Sequence, residues 1–228
     1  MLDREPSASA RRAREAVPDG GVVLDVGVGA GAGSLPLSNH ASRIVGVDAS
    51  EDMLGHFLAI AGNAGIAVEG IVGRWPEVAG RVGPADVVLC THVLYNVPDI
   101  APFVEALWAH ARRRVVIEIP DRYPWAWTAD LWLRFHGVEM PSGPTADDAE
   151  GAIEELDLRV MREEEVRAPE GGFRHRGDAV AMVRRRLCLT ADRDPEIAEA
   201  LGSRLGRTDG LWWVGTPTRT AVTLWSDT

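Results

Sequence analysis

At 228 residues, with 46% hydrophobic and 25% charged residues, the chain has the length and composition of one full α/β core. A formal net charge of −10 argues against a nucleic-acid substrate, because phosphate contacts normally need a basic face. No apolar run reaches the roughly 20 residues of a membrane span, and Leu2-Asp3-Arg4-Glu5-Pro6 lacks the basic-then-apolar layout of a leader, so the expectation is a cytoplasmic protein without a membrane partner.

In chain order, an Arg- and Ala-rich helix is predicted up to about residue 19, ending at Pro18-Asp19-Gly20-Gly21. Strand one covers 22–26, a helix 32–39 and strand two 43–47. Ser50 caps the next helix, whose first turn carries Glu51 and Asp52, favourable against the helix dipole. Strand three covers 67–72 and strand four 86–90. Asp99 and Pro102 open a helix with Phe103, Ala106, Leu107 and His110 at helical spacing. Strand five covers 115–119; its β-branched run suits a strand buried on both faces. Beyond Pro120 the stretch 122–136 holds Tyr123, Trp125, Trp127, Trp132 and Phe135, far denser in aromatics than the chain average of 6%. A turn at Pro141-Ser142-Gly143-Pro144, a helix from Thr145 to Leu156 and a sixth strand over 158–166 follow. Pro169-Glu170-Gly171-Gly172 reads as a loop. Helices over 178–187 and 195–205 and a last strand over 218–225 complete the chain.

Two segments carry chemistry. Val22-Val23-Leu24-Asp25-Val26 runs into Gly27-Val28-Gly29-Ala30-Gly31-Ala32-Gly33, and Ile44-Val45-Gly46-Val47 ends in Asp48. A strand, a glycine turn and a second strand ending in an acid form the nucleotide-binding half of a doubly wound sheet, with the ligand at the carboxyl ends of the strands. The second acid suits ribose hydroxyls. Asp25 discriminates between cofactors: a carboxylate two positions before the first glycine would repel a pyrophosphate but attract an ammonium or a sulfonium. All 24 basic residues are arginine. The absence of lysine excludes Schiff-base chemistry, a phosphate-loop lysine and the Tyr-x-x-x-Lys pair of short-chain dehydrogenases. Cys90 and Cys188 offer neither a disulfide framework nor a metal spacing, so no metal is expected. The triplets Arg112–Arg114 and Arg184–Arg186 read as solvated faces or salt-bridge partners.

The Asp-x-Gly-x-Gly-x-Gly turn with Asp48 downstream resembles the first two motifs of class I S-adenosylmethionine-dependent methyltransferases, and Cys90-Thr91-His92-Val93-Leu94-Tyr95-Asn96-Val97-Pro98-Asp99 resembles the fourth motif of small-molecule members. The resemblance is specific over 17–120. It implies a Rossmann-like methyltransferase fold, a mostly parallel seven-stranded sheet with helices on both faces and an antiparallel last strand, in a single domain over 1–228. Residues 1–120 would be the cofactor half and 121–228 the substrate half. It further implies S-adenosylmethionine as cofactor: Asp25, Gly27, Gly29 and Gly31 at its methionine end, Asp48 on the ribose, Met53 against adenine, and carbonyls of Cys90 or Thr91 receiving the ammonium. The family's acid after strand three is missing; Gly73-Arg74-Trp75-Pro76 stands there, which leaves adenine to backbone groups at Arg74 and to the Trp75 ring. His92 is the candidate base, with Tyr95 and Glu118 as further catalytic candidates. The aromatic stretch would roof an acceptor pocket through Tyr123, Trp125, Trp127 and His136. The partner is then a small-molecule methyl acceptor, and the protein a monomer or homodimer. A nicotinamide-dependent oxidoreductase and a non-catalytic S-adenosylmethionine-binding protein stand as alternatives.

Overall fold

A computed structural model describes residues 6–168, 172–216 and 218–228, so residues 169–171 of the predicted loop lie outside the described residues. Helix α1 (Ala8–Ala16) begins at Ser7, whose hydroxyl accepts from the Ala10 N–H at 3.1 Å. Strands β1 (Gly21–Val26), β2 (Ala41–Asp48), β3 (Val68–Val72), β4 (Ala85–Thr91) and β5 (Ala111–Pro120) pair in parallel. With β6 (Met161–Arg167) and β9 (Arg219–Asp227) they form one seven-stranded sheet in the order β3-β2-β1-β4-β5-β9-β6, in which the last strand is antiparallel. Helix α2 (Glu51–Ala64) is capped by Ser50, and α3 (Ile100–His110) follows β4.

The apolar runs are continuous because both faces of the sheet are covered. On one face Val23, Ile44, Val87, Leu89 and Val116 pack with Ala13 and Ala16 of α1 and Leu54 and Phe57 of α2. On the other, Leu24, Val45, Val88 and Ile117 pack with Phe103, Val104 and Leu107 of α3 and with Ile153 of α5 (Ala146–Glu154). Phe57 is fully buried, worth about 1.5–3 kcal/mol in apolar transfer. It fills a hollow kept open by missing side chains: a Cβ at Gly31 or Gly46 would lie 2.7 or 2.8 Å from its ring. The arginine triplets are partly bound in ion pairs: Arg114 holds Asp227 at 2.7 Å and Glu15 at 3.2 Å, and Arg184 faces Asp194 at 3.0 Å.

The chain divides into two compact units. The first runs to Ile119 and resumes at Ala146–Glu165 and Ala221–Thr228; the second comprises Pro120–Thr145 and Val166–Thr220. The core of the second joins Leu131 of α4 (Ala129–His136) to Val180 and Val183 of α6 (Arg176–Arg186) and to Ile197 and Leu201 of α7 (Asp194–Leu201).

Two elements differ from expectation. Residues 32–39 hold only a 3-10 turn at Leu35–Leu37, because Gly33 and Pro36 punctuate a stretch that must enter β2 at Ala41. The helix predicted through residue 205 stops at Leu201, and an antiparallel hairpin, β7 (Leu205–Thr208) and β8 (Leu211–Val214), follows. Its two-residue turn is Asp209-Gly210, both at positive φ (51° and 81°), the geometry that matches the twist of a tight hairpin.

Candidate active site at the carboxyl ends of the strands

The carboxyl ends of β1 to β4 and the start of α3 enclose a cavity of about 460 Å³. Of the predicted site residues, Gly27, Asp48, Arg74, Trp75 and His92 line it; Val93, Asn96, Asp99 and Phe103 complete the wall next to α3.

Gly27 and Gly29 turn the chain out of β1 at φ of 75° and 52°. Besides favouring a left-handed conformation, Gly27 faces Val93, whose Cγ2 would lie 2.2 Å from an added Cβ. Most of the turn's donors are internally bound: Gly27 and Val28 donate to the Val47 carbonyl, and Gly31 donates to that of Val28. Gly29 donates to Asp48 Oδ2 at 2.8 Å, while Oδ1 accepts from the Ser50 N–H at the same distance. The Asp48 carboxylate is thereby fixed on the cavity wall, with lone pairs left for a ligand.

Asp25 lies behind this wall, opposite Gly46 and Leu89 in the sheet and fully buried. Among the described residues neither of its oxygens has a hydrogen-bond partner. Burial pushes its carboxyl up to about 6; the nearby Ser34 hydroxyl opposes the shift without reaching hydrogen-bond geometry, and the Asp48 charge adds to it. A Cβ at Gly33 would fall 2.9 Å from Thr91 Oγ1 and 3.6 Å from Asp25 Oδ2. An acceptor-only group without donors, beside a hollow only a glycine leaves, fits a cationic group such as the ammonium of S-adenosylmethionine.

Met53 is 38% exposed, and its Cε lies 3.5 Å from where a Gly29 Cβ would sit; Leu54 takes the buried position of α2 instead. Arg74 is exposed. Trp75 is buried, its indole N–H donating to the Phe103 carbonyl at 3.2 Å and its ring edge-on to His110 at 4.9 Å. Cys90 is buried in the sheet core, where desolvation pushes its thiol upward and out of reach of nucleophilic use. Tyr95 sits in a 3-10 turn at Leu94–Asn96.

His92 follows β4 with φ of 60°, a left-handed conformation rare for a residue with a Cβ. Its N–H donates to the Glu118 carbonyl at 2.7 Å, and its Nε2 lies 3.3 Å from Glu118 Oε1. The other carboxylate oxygen of Glu118 accepts from the Ser9 hydroxyl of α1. Ser9 was invisible to sequence reasoning: 109 positions separate it from Glu118, and no local motif marks it.

The predicted acceptor residues belong to the second unit. There Trp125 and Trp127 stand 6.1 Å apart, and Arg186 lies 4.2 Å over the Trp125 ring. His136 donates from Nε2 to the Leu187 carbonyl at 2.7 Å and packs on Trp132. Tyr123 precedes the 3-10 turn Ala126–Thr128, whose first donor, the Ala126 N–H, bonds its carbonyl.

Residues 23–114 match a family model described as "Methyltransferase domain". No curated protein matches the sequence. Solved structures resemble it at low identity. A candidate methyltransferase of Bacillus halodurans is 15% identical, with 97% of this chain and 99% of that one covered at a TM-score of 0.63. The YcgJ protein of Bacillus subtilis is also 15% identical, with 96% and 97% covered at 0.61. Magnesium protoporphyrin IX methyltransferase from Synechocystis, with S-adenosylhomocysteine bound, is 15% identical, with 94% and 77% covered at 0.54. At such identities the likeness is one of fold, and the family match spans the glycine turn, Asp48 and β4.

Proposed function

We propose that the protein binds S-adenosylmethionine in the cavity at the carboxyl ends of β1 to β4 and transfers its methyl group to a small-molecule acceptor. The observation that carries this reading is the buried, partnerless Asp25 carboxylate behind a wall that holds Asp48. Bound there, S-adenosylmethionine would supply a methyl group on a positively charged sulfur. Asp25 and the carbonyls of Cys90 or Thr91 would answer its ammonium, the turn at Gly27, Gly29 and Gly31 its methionine end, and Asp48 its ribose hydroxyls. Met53, Arg74 and Trp75 would border adenine. His92 is the candidate base, with Tyr95 in the turn that follows it and Glu118 on the neighbouring strand β5 as further catalytic candidates. Tyr123, Trp125, Trp127 and His136 are proposed for the acceptor. The net charge of −10 favours a small acceptor over a polynucleotide, and a cytoplasmic monomer or homodimer is the matching form. The deciding experiment is release of S-adenosylhomocysteine against a chemically diverse acceptor panel that includes structured RNA; turnover confined to RNA would overturn the small-molecule assignment.

Asp48→Ala removes a charge-assisted pair of hydrogen bonds, so S-adenosylhomocysteine affinity is expected to fall by roughly 1.5–3 kcal/mol. Titration calorimetry reads this directly, and an unchanged affinity would contradict the ribose role. Because the Trp75 ring borders the cavity, bound S-adenosylhomocysteine is expected to quench part of the tryptophan emission. That part should be absent in Trp75→Phe; an equal response in both proteins would place the ligand elsewhere.

A further inference from the structure

We propose that Ser9, Glu118 and His92 form a positioning chain that fixes His92 as a base acting through Nδ1, and that the acceptor is therefore one whose attacking atom carries a proton: a hydroxyl or an ammonium. The inference rests on the methyltransferase reading above and adds to it the orientation of the base and the class of acceptor.

Three observations support it. Glu118 is only 4% exposed, whereas the His92 side chain is 52% exposed and lines the cavity. The carboxylate is therefore not the group that meets an acceptor; it is the group that holds the imidazole. Next, its two oxygens are divided, Oε1 facing His92 Nε2 at 3.3 Å and Oε2 accepting from Ser9, itself 3% exposed. A carboxylate only accepts, so a neutral imidazole facing it at this distance would carry its hydrogen on Nε2 and leave the lone pair on Nδ1. Among the described residues Nδ1 has no hydrogen bond and stays available. Last, His92 holds a left-handed φ of 60° while its N–H donates to the Glu118 carbonyl. Strain of this kind persists where surrounding structure imposes it, and it clusters at functional sites.

Ser9 is itself held firmly. The α1 N-terminus is bound by Ala8 N–H to Glu165 Oε2 at 3.1 Å, and Arg11 and Arg12 both reach Glu163 of β6. The far strand thus sets α1, α1 sets Glu118, and Glu118 sets the imidazole. Glu118 and Ser9 are positioning residues; His92 alone would touch the acceptor. In the step, the acceptor atom forms its bond to the methyl carbon as its hydrogen passes to Nδ1. The electron pair of the O–H or N–H bond stays on that atom, and the pair of the broken carbon–sulfur bond leaves with sulfur. The imidazolium so formed faces the Glu118 carboxylate. An already neutral amine attacks through its free lone pair and needs no base for that step.

Long-range ¹H–¹⁵N spectra of the cofactor-free protein, with His92 assigned through His92→Asn, test the chain without any acceptor. The expected result is an Nε2–H tautomer in the parent and a mixture in Glu118→Leu, an apolar replacement that leaves no buried charge. Should that variant not fold, Ser9→Ala is expected to move the spectrum the same way to a smaller extent, with Ser9→Thr restoring it. An Nδ1–H tautomer in the parent, or the same tautomer in all variants, overturns the chain. On acceptors found by the panel, His92→Asn is expected to lower kcat by about 10²–10⁴-fold; an undiminished rate overturns the proposal. Cofactor calorimetry separates the two readings: S-adenosylmethionine binding without the tautomer effect refutes only the positioning chain, and absent binding refutes the methyltransferase assignment of the cavity.

Discussion

Phe57→Ala is expected to cost about 3–5 kcal/mol of unfolding free energy, the range for emptying a fully buried phenylalanine site. The value should sit high in that range. The hollow around Phe57 is bordered by strand backbone at Gly46 and by the turn at Gly31, neither of which has a side chain to fill the void. Urea denaturation of parent and variant measures the difference, and a loss under 1 kcal/mol would show that the turn collapses onto α2. In that case cofactor affinity should fall together with stability, because the turn that relaxes is the one whose Gly29 N–H holds Asp48.

Asp25→Asn is expected to move stability and binding in opposite directions. A carboxyl raised to about 6 in the fold, against 3.8 ordinarily, disfavours the folded state once it ionises. Below pH 3.8 both folded and unfolded forms carry the proton, and there is no penalty. The penalty grows as pH rises through 6 and amounts to about 3 kcal/mol above it. The cofactor-free asparagine variant should therefore melt higher than the parent at pH 7.5 and alike at pH 4. Its affinity for S-adenosylmethionine should fall by roughly 100-fold, the loss of one buried charge-assisted contact. In the parent, affinity should rise with pH through 6, as the carboxyl that answers the ammonium becomes ionised. Differential scanning calorimetry at the two pH values and titration calorimetry between pH 5 and 8 check both halves. A variant that melts lower at pH 7.5 would mean that Asp25 has a stabilising partner in the fold.

The parts of this architecture legible in the sequence are those governed by local chemistry. β1, β4 and β5 announce themselves as β-branched runs because burial on both faces leaves no polar alternation. Asp25 lies beside the turn because both fall within the same few residues, whereas Asp48 meets it across 19 positions, by accepting from the Gly29 N–H. The segment 32–39 misleads for a related reason: its composition suits a helix, but the constraint that prevents one is the distance left before β2. The β7–β8 hairpin had a plain signal in Asp209-Gly210, hidden by apolar residues at helical spacing just before it. Ser9 has no such signal. Its meaning arises only when α1 lies against β5, a tertiary fact that no spacing encodes. Trp75 shows the intermediate case, an aromatic whose place at the cavity is local but whose indole donor is bound by a carbonyl 28 positions away.

The route of the chain through the second unit has an evolutionary corollary. That unit is made from two separate stretches, and between them in sequence come α5 and most of β6, which belong to the first unit. Leu131 comes from the earlier stretch, and its core partners Val180, Val183 and Ile197 from the later one. A swap of this module alone would need two matched exchanges that spare α5 and most of β6. During synthesis, Leu131 leaves the ribosome dozens of residues before the side chains that bury it. A substitution at Leu131 is therefore felt at Val180, Val183 and Ile197, side chains far along the chain, and the two stretches have to change in step.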